Sequence, residues 1–262
     1  MDYAYWLRPK PGDKPFSELE WEKPERRDQR GRLAIIGGTK LGFAAVATSY
    51  SETVAAGAGE IRAVLPDALQ PLLGRTISDA IFTSSNKIGA FDAKAENDMR
   101  AIYDWADIVL LPGDAGRNSE TAICFEHLLT NNDTPVVITR DTIDLLRASP
   151  ALLLERPQTA LVISFAQLQK LLQSVYFPRG IVFSMHLSQL VETLHKVTLS
   201  YPALIVTYHS EQLIIAYGGK VASFAYEMPM RIWRGSTASS IAVALMQHPS
   251  KWFEAAVQAT AY

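Results

Sequence analysis

From residue 33 onward the chain alternates between two textures: short, almost unbroken apolar runs, and longer stretches in which apolar residues return every three or four positions. LAII (33–36), IRAVLP (61–66), DAIFTS (79–84), DIVLL (107–111), PVVIT (135–139), TALVISF (159–165) and PALIVTYH (202–209) are of the first kind. A run that is apolar at consecutive positions buries both of its faces, which is the pattern of parallel strands covered by helices on each side. The helical period appears between them, in an Ala-rich segment (41–59), KAENDMRAIYDWA (94–106), SETAICFEHLLTN (119–131), FAQLQKLLQSVY (165–176) and HLSQLVETLHKV (186–197). QLIIAYGG (212–219) and KVASFAYE (220–227) meet at Gly218-Gly219 and predict an antiparallel hairpin. A helix is predicted to open near Ser236, and another near Ser250.

Strand and helix alternate without an internal repeat or an evident linker, so the pattern predicts one doubly wound domain over residues 30–262. Its expected form is a three-layer α/β/α sandwich with a mostly parallel central sheet and a late antiparallel hairpin. Residues 1–29 are rich in proline and in both signs of charge and predict an irregular arm. Trp6, Phe16 and Trp21 gain nothing from full solvation, so they are expected to pin that arm to the body or to a neighbouring subunit of a homo-oligomer.

Composition narrows the classes. The 262 residues are 48% hydrophobic and 20% charged with a net charge of −2, which gives no basic surface for nucleic acid. The single cysteine, Cys124, excludes an intrachain disulfide and a cysteine-based zinc cluster, and the histidines have no metal-ligand spacing. Cys124 and His127 share a helix face, where core packing explains them. No signal-peptide core and no membrane-length apolar run is present, so a soluble, cytoplasmic protein is expected.

Candidate chemistry lies in three glycine loops, because ligands of open α/β sheets gather outside the carboxyl ends of the strands. Gly37-Gly38-Thr39 follows the first long strand, Pro112-Gly113-Asp114-Ala115-Gly116 follows DIVLL, and Gly235-Ser236-Thr237 precedes the last long helix. GGTKLG lacks the spacing of the dinucleotide fingerprint, which disfavours a Rossmann dehydrogenase. Ser236 reads as a helix cap that can also donate to an anion. Asp141 reads equally as a cap of TIDLLRA or as a functional carboxylate. Asp114 reads as a turn residue sooner than as a Mg²⁺ ligand. Trp233 reads as a packing anchor.

Taken in order, RGRLAIIGGT (30–39), VAAGAGEIRAVLPDAL (54–69), DIVLLPGDAGRNSET (107–121), TPVVITRDTIDLL (134–146) and the segment from Gly235 resemble the ribokinase-like NAD(P)H-hydrate dehydratase family. The resemblance implies a ribokinase-like fold and a carbon–oxygen lyase that dehydrates hydrated nicotinamide nucleotide with ATP or ADP and Mg²⁺. By position it implies that Gly38, Thr39, Ala45, Gly113, Gly116 and Ser164 face the substrate, and that Thr207, His209, Gly235, Ser236 and Thr237 face the nucleotide. Asp141 and Ser236 take the catalytic positions. The family's last loop carries an Asp as base where this chain has Ser236, and a hydroxyl with no adjacent base does not accept the proton at neutral pH. A non-catalytic nucleotide-binding or scaffold relative is therefore the alternative. A small-molecule kinase on the same fold needs the same missing base.

Overall fold

The computed structural model describes residues 3–10, 12–74 and 79–261. The apolar runs form strands: β1 (Trp6–Leu7), β2 (Arg32–Ile36), β3 (Glu60–Pro66), β4 (Ala80–Thr83), β5 (Ile108–Leu111), β6 (Val136–Thr139), β7 (Thr159–Val162), β8 (Leu204–His209), β9 (Gln212–Tyr217) and β10 (Lys220–Ala225). Between and after them lie helices α1 (Glu18–Trp21), α2 (Ala44–Ala55), α3 (Gln70–Leu73), α4 (Ala95–Trp105), α5 (Ser119–Asn131) and α6 (Asp141–Leu145). The series continues with α7 (Pro150–Leu154), α8 (Phe165–Ser174), α9 (Leu187–Ser200), α10 (Pro229–Arg234), α11 (Ser236–Gln247) and α12 (Trp252–Gln258).

The strands form a ten-stranded sheet in the order β1-β10-β9-β8-β7-β6-β5-β2-β3-β4. β2 to β8 run parallel, while β9 is antiparallel to both neighbours, so the expected α/β sandwich with a late hairpin is the observed architecture. Alternation along each strand explains why consecutive positions are apolar. Ala34 and Ile36 enter the core formed with Met99, Tyr103, Phe125 and Leu168 from α4, α5 and α8. Leu33 and Ile35 enter the opposite core with Val46 of α2, Ile241 and Leu245 of α11, and Phe253 of α12. Each of the larger aliphatic and Phe side chains removed from water contributes roughly 1.5–3 kcal/mol.

The described residues of the leading segment 1–29 are more ordered than its composition predicts. Trp6 and Leu7 pair in parallel with Val221 and Ala222, and the Trp6 indole donates to the Ser223 hydroxyl at 2.9 Å. Phe16 meets Phe253 edge-on with ring centres 6.4 Å apart. Trp21 behaves otherwise, being 90% exposed. The final helical region also differs from the prediction: Gly235, at φ 91°, ends α10 and opens α11, so a glycine kink joins two helices where a loop was expected. Only a residue without Cβ adopts this left-handed turn cheaply. Among the described residues no helix is long and apolar enough to cross a membrane.

Candidate functional site

The sheet order places β2 beside β5, while the chain continues from β2 toward β3 on one side and from β5 toward β6 on the other. This is a topological switch point, and its crevice opens at the carboxyl ends of both strands. The two glycine loops meet there. The Gly38 amide donates to the Gly113 carbonyl at 3.4 Å, and a Cβ on Gly37 would lie 2.8 Å from that same oxygen. A Cβ on Gly116 would stand 3.2 Å from the Thr39 methyl. Close backbone approach, more than ligand access, therefore fixes these glycines. Gly38 and Thr39 are buried, and the Thr39 amide is held by the Gly42 carbonyl at 2.7 Å.

Asp114 organises the crevice. One carboxylate oxygen accepts the Ala45 amide at 2.7 Å, supplying the N-terminus of α2 with the cap that Phe43 cannot offer. Ala45 is thus buried behind Asp114. The other oxygen accepts from the Arg140 guanidinium at 2.9 Å. The Asp114 amide in turn donates to the Asp141 carboxylate at 2.8 Å, so Asp141 caps a loop of the crevice and not its own helix. Gly113, at φ 105°, lies so close to the Asp141 carboxylate and Arg140 that no Cβ fits there.

Arg140 is the residue that sequence reading missed. It follows β6 with φ 58° and ψ −137°, a conformation that a side chain strains to hold. Its guanidinium spans the crevice, from Asp114 to the carbonyl of Trp233 at 3.2 Å. A positively charged residue beside the Asp at a strand end was the available signal, but nothing local announces a left-handed arginine.

Ser164 begins α8 as a capping box with Gln167: its hydroxyl accepts the Gln167 amide at 3.2 Å, and Gln167 reaches on to the Arg140 carbonyl and the Asp144 carboxylate. Thr207 is wholly buried, and its hydroxyl has no partner among the described residues. His209 stacks on Phe165 at 4.6 Å, and its Nε2 meets the Met185 carbonyl at 3.1 Å. Gly235, Ser236 and Thr237 are all buried, and the Thr237 hydroxyl pairs with that of Tyr226 at 3.1 Å. Ser236 is the first residue inside α11, so it is not the cap expected from its type; Gly235 holds that position.

What remains open on this rim is a two-part groove. One part, of about 430 Å³, is lined by Ser164, Ala166, Phe183, Tyr208, His209 and Trp233. Phe183 is 68% and Trp233 43% exposed, so Trp233 presents its indole to the groove instead of anchoring a core. The other part, of about 460 Å³, shares Ser164, Ala166 and Trp233 and adds Arg140, Asp141 and Lys170. An aromatic slot thus runs into a charged pocket.

The resemblance calls for ATP or ADP with Mg²⁺ at this rim. The start of α11 is buried, with the Thr237 hydroxyl on that of Tyr226 and the α10 turn beside it, and residues 235–237 line neither of these two parts of the groove. Among the described residues no three His, Cys, Asp or Glu side chains converge for a metal ion. The first turn of α11 holds no acidic residue, and general-base chemistry has no group there to perform it.

No protein-family model matches the chain, and no curated protein does. Solved structures do match. A ribokinase-like superfamily protein from Enterococcus faecalis aligns over 99% of this chain and 86% of its own, with TM-score 0.75 and 16% identity. A hypothetical protein from Streptococcus mutans aligns over 92% of this chain and 84% of its own, with TM-score 0.67 and 18% identity. An ADP/ATP-dependent NAD(P)H-hydrate dehydratase from Bacillus subtilis, crystallised with ATP and Mg²⁺, covers 93% of this chain and 83% of its own, with TM-score 0.61 and 12% identity. At these identities the likeness establishes the fold, and the chain has a ribokinase-like α/β fold.

Proposed function

We propose that this chain is a nucleotide-binding protein of ribokinase-like fold that holds its ligand in the rim groove and does not transform it. The observation that carries this reading is Arg140, whose guanidinium spans the crevice from the Asp114 carboxylate to the Trp233 carbonyl, while the Asp141 carboxylate is engaged by the Asp114 amide. A guanidinium donates hydrogen bonds and has no acceptor, so it supplies no base. The α11 terminus, with Ser236 in the position resembling the family's catalytic Asp, offers no substitute. Binding is supported separately. The aromatic slot offers Phe183 and Trp233 as stacking faces for a heterocycle, and base–aromatic stacking is worth about 1–3 kcal/mol. A structural neighbour was crystallised with ATP.

Calorimetric titration with ADP and ATP tests the reading. Saturable binding is expected, weakened roughly tenfold by Trp233→Ala, together with no recovery of NADH absorbance from NADH hydrate. Turnover that disappears in Asp141→Asn would overturn it in favour of a dehydratase.

A further inference from the structure

The charged end of the groove specifies more than a place for an anion. Asp114, Asp141 and Asp144 face Arg140 and Lys170 across it. The carboxylates already have protein donors: Asp114 the Ala45 amide and Arg140, Asp141 the Asp114 amide, and Asp144 the Gln167 side-chain amide. Lys170 is exposed and has no ion-pair partner among the described residues. Arg140 donates to Asp114 and to a neutral carbonyl, using two of its nitrogens on partners that a ligand can replace. Five donors in a planar fork suit an oxyanion that takes over the place of the Asp114 carboxylate. The five charged groups sum to −1, counted as two cations against three carboxylates. Such a field opposes added negative charge, and it opposes the roughly −2 of a monophosphate or the single charge of a carboxylate far less than the three or four charges of a di- or triphosphate.

Resting on the nucleotide-binding reading, we infer that Arg140 is the selectivity residue of the groove, and that the ligand class is a heterocycle bearing one compact, weakly charged anionic group. A nucleoside monophosphate or a heterocyclic carboxylate fits this class best, and a nucleoside triphosphate binds more weakly. The heterocycle lies between Phe183 and Trp233, and the anion exchanges with Asp114 on the guanidinium. The strained backbone of Arg140 fits this role, because it aims the side chain across the crevice from the end of β6 and not outward to solvent.

Titration calorimetry of the full chain with adenosine, AMP, ADP and ATP, without added metal, separates the possibilities. AMP is expected to bind most tightly, with affinity falling at least tenfold toward ATP. Arg140→Gln should reduce AMP affinity about tenfold or more while leaving adenosine unchanged. Asp114→Asn, which releases the guanidinium but still accepts the Ala45 amide, should tighten AMP. A merely structural role for the pair would move both variants in the same direction, and circular dichroism confirms that each is folded. Affinity that rises from AMP to ATP, or an Arg140→Gln variant with unchanged AMP affinity, overturns the inference and leaves nucleotide binding standing. If none of the four ligands binds, both readings fall.

Discussion

Arg140 carries two burdens that can be separated by substitution. Its side chain joins Asp114 to the α10 turn, and its backbone sits at φ 58° and ψ −137°. Arg140→Gln and Arg140→Gly both remove the guanidinium, but only glycine relaxes the backbone. Strain of about 1–3 kcal/mol outweighs the smaller entropic cost of glycine in the unfolded chain. The Gly variant is therefore expected to be about 1 kcal/mol more stable than the Gln variant in urea unfolding. Equal stability, or a less stable Gly variant, would show that the conformation costs nothing. The same residue marks where sequence reading stopped. Asp141, Gly113 and Asp114 were legible as strand-end candidates because their types belong to turns and anion sites. That one Asp caps the loop of another depends on contacts 27 residues apart, which no local pattern encodes.

At the scale of elements the sequence was informative wherever burial dictated composition. Strands such as β5, with all four residues buried, must be apolar throughout, and α5 spans the predicted 119–131, with the Asn118 side chain capping its first turn. Signals failed where tertiary contacts supply what the segment lacks. β1 is two residues long and exists because β10 offers it an open edge and Ser223 takes its indole N–H. α10 reads as a loop because its arginines and Met228-Pro229 obscure a helical period, yet proline at the first turn is well suited to start a helix. Gly235-Ser236-Thr237 reads as a ligand loop, and the small residues after it as helix. Ala238, Ser239 and Ala242 of that helix are buried, letting it lie closely along α2 and over β5 and β6.

For the whole molecule, two cores on opposite faces of one sheet make stability depend on groups far from the groove. Burial pushes the Tyr103 phenol up to about 12 and the Cys124 thiol up to about 11, from ordinary values of 10.0 and 9.0. Both groups keep their protons longer in the folded protein than in the unfolded chain. Their contribution is therefore complete below the unfolded values and drains away as pH rises through the folded ones, by roughly 1.4 kcal/mol per pH unit per group. Denaturation midpoints are expected to fall steeply between pH 10 and 12, and Tyr103→Phe should flatten that decline. An unchanged slope in the variant would place the alkaline loss elsewhere.

The sheet order joins these scales, since it brings the β2 and β5 loops together while α10 and α11 seal the third glycine turn beneath the rim. The groove that remains is the one from Phe183 past Trp233 to Arg140. A crystal structure of the protein grown with AMP tests this directly. The expected result is the base between Phe183 and Trp233 with its phosphate on the Arg140 guanidinium. Density with the phosphate on the amides of Gly235, Ser236 and Thr237 would contradict it.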